Sequence, residues 1–221
     1  VRNNLKLYSF FALLLLLGAC NGFVQVQTKS LYNEVAVVDS NEIDGFKAVY
    51  IFNNDFDKSV WVSPEVQCVQ MTTEKLNVFS GDAGLKVSWD KIAGNCKWIG
   101  IGFGWNNWMS KDISDLKDNS AVQFKVKSVK GSFKNLPVAF AFEDYSGVQC
   151  YYGFNYALAS GVFTDSTWTS VLIPLSKFPF EAKDFDLERV KQFIIQLEGD
   201  GNIYLDEIKF IKLEDEKVIR S

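Results

Sequence analysis

The 221-residue chain contains no histidine. That removes Ser-His-Asp and Cys-His nucleophilic catalysis and every histidine-ligated metal site. Acid–base chemistry would have to come from carboxylates, and a glycoside hydrolase needs two of them about 5 to 9 Å apart across the scissile bond. The acidic residues do not pair in that way. Glu42 and Asp44 precede the first strand, Glu198 and Asp200 flank a glycine in a turn, and Asp206 and Glu207 point to opposite faces of a strand. Hydrolysis is therefore the weaker reading. Gly100, Gly102 and Gly104 do not form a dinucleotide loop, because the spacing is wrong and no βαβ pattern surrounds them.

The stretch with the strongest chemical signature is Trp98-Ile-Gly-Ile-Gly-Phe-Gly-Trp-Asn-Asn-Trp108. Ile99, Ile101 and Phe103 point one way; Trp98, Gly100, Gly102 and Gly104 point the other, as a strand's two-residue period requires. Three glycines on one face pack nothing and cost chain entropy, so they imply that something approaches that face closely. Trp105 and Trp108 then flank two amides, Asn106 and Asn107, in an expected loop. Flat rings beside amides suit a pyranose, which offers an apolar C–H face and a rim of hydroxyls. The same residues also read as a glycine-rich core strand ending in two buried tryptophans.

Around this stretch the chain alternates short strands with turns. Strands are expected over 47–52, 60–62, 75–79, 85–89, 120–128, 136–143, 149–156, 168–173 and 202–213, with a turn and then a strand in 187–197. Short helical turns are expected in 111–119 and 175–178. Aromatic content of 15%, with 19 Phe, suits a β-rich interior. These features predict an all-β fold, an antiparallel β-sandwich. The outward-facing set then contains Gly100, Gly102, Ala139, Ala141 and Gly153, with Gln123, Lys125, Glu143, Gln149, Tyr151, Asn155 and Gln196 nearby. If those strands are neighbours, they form a groove with a small-residue floor. Lys183, Arg189 and Lys191, near Glu181, Asp184, Asp186 and Glu188, read as a solvated turn.

The N-terminal end reads as an address. Arg2 and Lys6 precede an apolar run over 7–17 that is too short to span a bilayer. The sequence Leu17-Gly18-Ala19-Cys20 resembles a bacterial lipobox, which implies cleavage before Cys20 and lipidation of that residue. The expected divisions are 1–19 signal peptide, 20–44 lipidated N-terminus and tether, 45–213 β-sandwich, and 214–221 charged tail. Removing 1–19 takes away two cations and no acids, leaving 21 Lys and Arg against 27 Asp and Glu. An acidic chain without a basic stripe argues against a nucleic-acid partner, and the lipid would be the only membrane attachment. Cys68, Cys96 and Cys150 allow at most one intramolecular disulfide, with the pairing open.

Four segments occur in an order that carries a family resemblance. They are Ser80-Gly-Asp-Ala-Gly-Leu-Lys-Val-Ser-Trp89, Gly102-Phe-Gly-Trp-Asn-Asn-Trp108, Trp168-Thr-Ser-Val-Leu-Ile-Pro-Leu175 and Gly201-Asn-Ile-Tyr-Leu-Asp-Glu-Ile208. Together they resemble the jelly-roll, galactose-binding-like carbohydrate-binding modules, nearest to the family-eleven β-glucan binders. The resemblance implies non-catalytic binding of a polysaccharide or oligosaccharide, a β-linked and glucan-like glycan, on a concave sheet face. Trp105, Trp108, Tyr145 and Tyr151 are the expected stacking platforms, with Trp98 lining the floor and Glu143, Asp144, Gln149 and Asn155 bonding hydroxyls. It also implies one structural calcium near Asp55 or Asp57, Asp82, Gly84 and Asp206. Such binding would serve capture, adhesion or a partner glycosidase. The competing reading is a surface protein that uses the same fold to bind another protein.

Overall fold

A computed structural model of the chain describes residues 37–38, 42–47, 49–52, 59–105, 108–152 and 162–213. In chain order its strands are β1 (Val37–Val38), β2 (Tyr50–Phe52), β3 (Val60–Val62), β4 (Val69–Glu74) and β5 (Gly84–Asp90). There follow β6 (Gly100–Gly104), β7 (Ser120–Ser128), β8 (Ser132–Phe133), β9 (Val138–Asp144) and β10 (Gln149–Tyr152). The last four are β11 (Phe163–Thr164), β12 (Thr169–Pro174), β13 (Val190–Leu197) and β14 (Asp200–Leu213). Helix is confined, among the described residues, to three-residue turns at Ser114–Leu116, Leu175–Lys177 and Glu181–Lys183.

The strands form two antiparallel sheets. The front sheet runs β10-β9-β13-β6-β3, and the back sheet runs β12-β7-β14-β5-β4, with β2 and β1 also pairing with the long β14. A small pair, β8 and β11, stands apart. Alternation in each strand supplies the core. Phe140 and Phe142 of β9, Phe103 of β6 and Phe193 of β13 face Phe124 of β7 and Phe210 of β14. Rings meet across the layers at 5.5 Å for Phe124 and Phe140 and at 6.4 Å for Phe142 and Phe210. Each such ring buries on the order of 150–250 Å², which makes the phenylalanines the main apolar reserve of the sandwich. The expected all-β antiparallel sandwich is the fold observed.

Two expectations change, and one pairing left open is filled in. The stretch 75–79 is a turn, because the Glu74 carboxylate accepts the backbone N–H groups of Leu76 and Asn77 and stops the strand before them. The strand in this region is β4, ending at Glu74. Gln123 and Lys125 belong to β7 in the back sheet and so cannot share a groove with Glu143. Finally, Cys68 and Cys96 form a disulfide, while Cys150 stays free and buried. Burial pushes the Cys150 thiol up to about 11, so it remains protonated and inert.

Candidate functional site: an aromatic row on the front sheet

The outward face of the front sheet is built by register. Gly100, Gly102 and Gly104 of β6 lie opposite Gln196, Ile194 and Gln192 of β13. Those residues lie opposite Ala139, Ala141 and Glu143 of β9, and β10 adds Tyr151 beside Ala141 and Gln149 beside Glu143. On the other side β3 places Trp61 opposite Gly102.

Each glycine carries a tryptophan. A methyl group on Gly100 would lie 2.8 Å from the Trp98 ring, and one on Gly104 would lie 2.8 Å from the Trp108 ring. On Gly102 it would lie 2.2 Å from Trp61 Nε1. The close approach implied by the glycines is thus made first by the protein's own indoles. Trp61 stretches from the edge strand over β6 and donates its N–H to Gln192 Oε1 on β13, at 2.6 Å. That reach covers two inter-strand spacings, about 10 Å, so the ring must lie flat along the sheet. Trp98 similarly donates to Gln196 Oε1 at 2.8 Å. The two rings are roughly parallel, with an interplanar angle of 28° and centroids 5.9 Å apart. Trp61, Trp98 and Trp108 are all half-buried.

Under and beside the rings runs a polar network. Glu143, 8% exposed, accepts from Gln149 at 2.7 Å, Gln192 at 3.1 Å and the Lys191 ammonium at 2.5 Å. Burial pushes its carboxyl up, but Lys191 and the two amides more than offset this, leaving it below the ordinary glutamate value. Gln149 Oε1 accepts the Tyr151 hydroxyl at 2.9 Å. Burial raises the Tyr151 phenol above its usual value, opposed by the nearby Trp98 N–H and reinforced by the charge of Glu143. At the other end of the groove, Gln196 donates to Glu198 at 2.6 Å, and Glu198 pairs with Lys91 at 2.6 Å. The network holds the Trp61 and Trp98 indoles through their N–H groups and keeps the exposed edge of the groove rich in hydroxyl, amide and ammonium groups.

The structure therefore brings together Trp98, Trp108, Glu143, Tyr145, Gln149 and Tyr151 of the expected ligand residues. Asn155 lies outside the described residues, as do Asn106 and Asn107. Two expected residues leave the site. Trp105 is 4% exposed and stacks on Phe210 of the back sheet at 6.3 Å, so it is a core residue and no ligand reaches its ring. Asp144 is completely buried, on the opposite side of β9 from Glu143. Its carboxylate accepts from the Ser146 N–H and hydroxyl, the Val148 N–H and the Asp186 N–H. It organises the β9–β10 turn instead. Glu143 and Asp144 thus do not face one cleft as a catalytic pair, and Glu143 is held ionised rather than poised to donate a proton.

Trp61, Gln192 and Lys191 are the residues the sequence did not assign. Trp61 occupies a three-residue edge strand too short to show a period, although Val60-Trp-Val does set the indole opposite two valines.

Of the expected calcium ligands, Asp82, Gly84 and Asp206 are among the described residues. Asp206 is buried, and its carboxylate accepts the backbone N–H groups of Phe79 at 2.7 Å, Ser80 at 3.3 Å and Glu207 at 2.7 Å. Gly84 packs against that carboxylate, Asp82 is exposed, and Asp55 and Asp57 lie outside the described residues. Among the described residues no group of three acidic or thiol side chains could hold a metal. Calcium takes six to eight oxygens, so a site here would need Asp55 or Asp57 beside the Asp206 carboxylate.

Comparison with known proteins agrees with this architecture. A crystal structure of a family 30 carbohydrate-binding module superposes with a TM-score of 0.60 at 17% identity, over 77% of this chain and 90% of that one. The family 30 module of a cellulosomal cellulase of Clostridium thermocellum superposes with a TM-score of 0.57 at 17% identity, over 77% and 98%. A family 11 module of a cellulosomal cellulase from the same organism gives 0.46 at 15% identity, over 73% and 92%. No protein with a curated description matches the chain. The sequence pattern of the family described as carbohydrate binding domain 30 matches residues 47–212. The jelly-roll resemblance seen in the sequence thus resolves to family thirty: this chain belongs to the carbohydrate binding domain 30 family.

Proposed function

We propose that the groove of the front sheet binds a β-linked, glucan-like glycan without cleaving it, and that the module is held at a bacterial cell envelope by lipid on Cys20. The observation that carries the glycan reading is the row of Trp61, Trp98 and Trp108 seated on Gly100, Gly102 and Gly104. Broad rings lying along one strand offer successive flat surfaces to an extended chain of pyranoses, whose apolar faces can stack while their hydroxyls reach sideways. Gln149, Tyr151 and Lys191 flank the row on the hydroxyl side, with Glu143 holding them in place. A related family 30 module belongs to a cellulase, which agrees with a glucan-like ligand and with service to a partner glycosidase.

Envelope attachment rests on the lipobox-like end of the N-terminal segment and the polar tether over 20–44. The Cys68–Cys96 disulfide agrees with an oxidising compartment outside the cytoplasm.

A glycan array followed by calorimetry on the best ligand tests the function. Trp61→Ala and Trp98→Ala are each expected to lose on the order of 1–2 kcal/mol, about tenfold or more in affinity, with the fold intact. Binding that survives both substitutions would remove the site. A blank array would transfer the bet to a protein partner, and release of reducing sugar would revive hydrolysis.

A further inference from the structure

Tyr145 reaches across the end of the groove. It follows β9 on the same outward side as Glu143, donates its backbone N–H to Arg189 O at 3.0 Å, and is 44% exposed. The turn beneath it is fixed by the four hydrogen bonds that Asp144 accepts. On the far side, Trp108 adopts a φ of 67°, a left-handed conformation that a bulky side chain rarely takes, while its ring rests on Gly104. The Tyr145 hydroxyl donates to the carbonyl oxygen of that same Trp108. The bond joins the ends of β9 and β6, which are separated in the front sheet by β13.

We propose that Tyr145 is a positioning residue for the groove. Its hydroxyl holds the Trp108 carbonyl, which keeps the Trp108 backbone in its left-handed state and its indole flat on Gly104. A strained conformation persists only when surrounding contacts over-determine it, and this hydrogen bond reaches the strained residue from a turn that the Asp144 carboxylate holds. The assignment rests on the glycan reading of the groove, and it gives Tyr145 a role through Trp108 rather than by stacking on sugar.

Tyr145→Phe tests it, because only the hydroxyl is removed. In protein carrying fluorinated tryptophan, the Trp108 fluorine resonance is identified by its loss in Trp108→Phe. Tyr145→Phe is expected to shift or broaden that resonance while leaving those of Trp61, Trp89, Trp98, Trp105 and Trp168 in place. The melting temperature should move by no more than about 4 °C. Affinity for the best array glycan should fall about three- to tenfold, the size of one net hydrogen bond. In a Trp108→Ala background the same change should cost less than about twofold. An unmoved Trp108 resonance overturns the proposal. So does a full loss of affinity that persists in Trp108→Ala, which would place the hydroxyl on the glycan itself. If the unaltered protein binds no glycan, the functional reading fails, and the fluorine result still decides whether the latch exists.

Discussion

At the residue scale, a single property decides which aromatic rings can meet a ligand: the side of the strand on which each falls. Trp98 shares its parity with the glycines and lies on the face, whereas Trp105 shares parity with Ile101 and Phe103 and lies in the core. The same rule separates Glu143 from Asp144. That much was legible, since carrying the alternation of β6 one residue further places Trp105 inside. The role of Trp61 was not legible, because its partner Gly102 is 41 positions away and only sheet register joins them. Glu143 also sets the pH behaviour of the groove. Its folded-state pKa is depressed, so the stability it contributes is present at neutral pH and is lost only as pH falls through that lowered value. Tyr151, with a raised pKa, stays neutral across the same range, and the chain has no histidine. Affinity measured by calorimetry should therefore be flat between about pH 8 and pH 5 and weaken only below the ordinary carboxylate range. A titration midpoint near neutrality would contradict this assignment.

At the scale of elements, β6 is the organising strand, and its glycines are structural provisions for the indoles above them. Gly102→Ala tests this, because the added methyl would occupy the place of Trp61 Nε1. An alanine is otherwise acceptable in a strand, so the fold should persist while the ring is displaced and its bond to Gln192 lost. Affinity is expected to fall by about as much as in Trp61→Ala, roughly tenfold, and the substitution should be nearly silent when Trp61 is already alanine. Independent, additive effects would show that the glycine serves something else. Most strands were legible from their period, but two features were not. Glu74 ends β4 by capping the next turn, and that turn chemistry left 75–79 outside any strand. Gln123 and Lys125 alternate as well as any groove strand, yet sequence period says nothing about which sheet a strand joins.

At the scale of the molecule, two faces compete for the ligand. The front sheet presents the tryptophan row. On the back-sheet side the turn residue Phe79, 43% exposed, is in edge contact with Trp168 and has the Lys125 ammonium 4.6 Å from its ring. The antiparallel sandwich was legible because strand length, turn spacing and aromatic content all pointed to it. The order of strands and the Cys68–Cys96 pairing were not, since both are set by contacts between distant segments. Choosing between the faces is the central claim, and hydroxyl-radical footprinting of the intact protein with and without its best array glycan tests it most directly. Bound glycan is expected to protect Trp61, Trp98, Trp108 and Tyr151 while leaving Phe79 and Trp168 as reactive as before. Protection of Phe79 and Trp168 with the front-sheet tryptophans unchanged would contradict it and place the site on the opposite face.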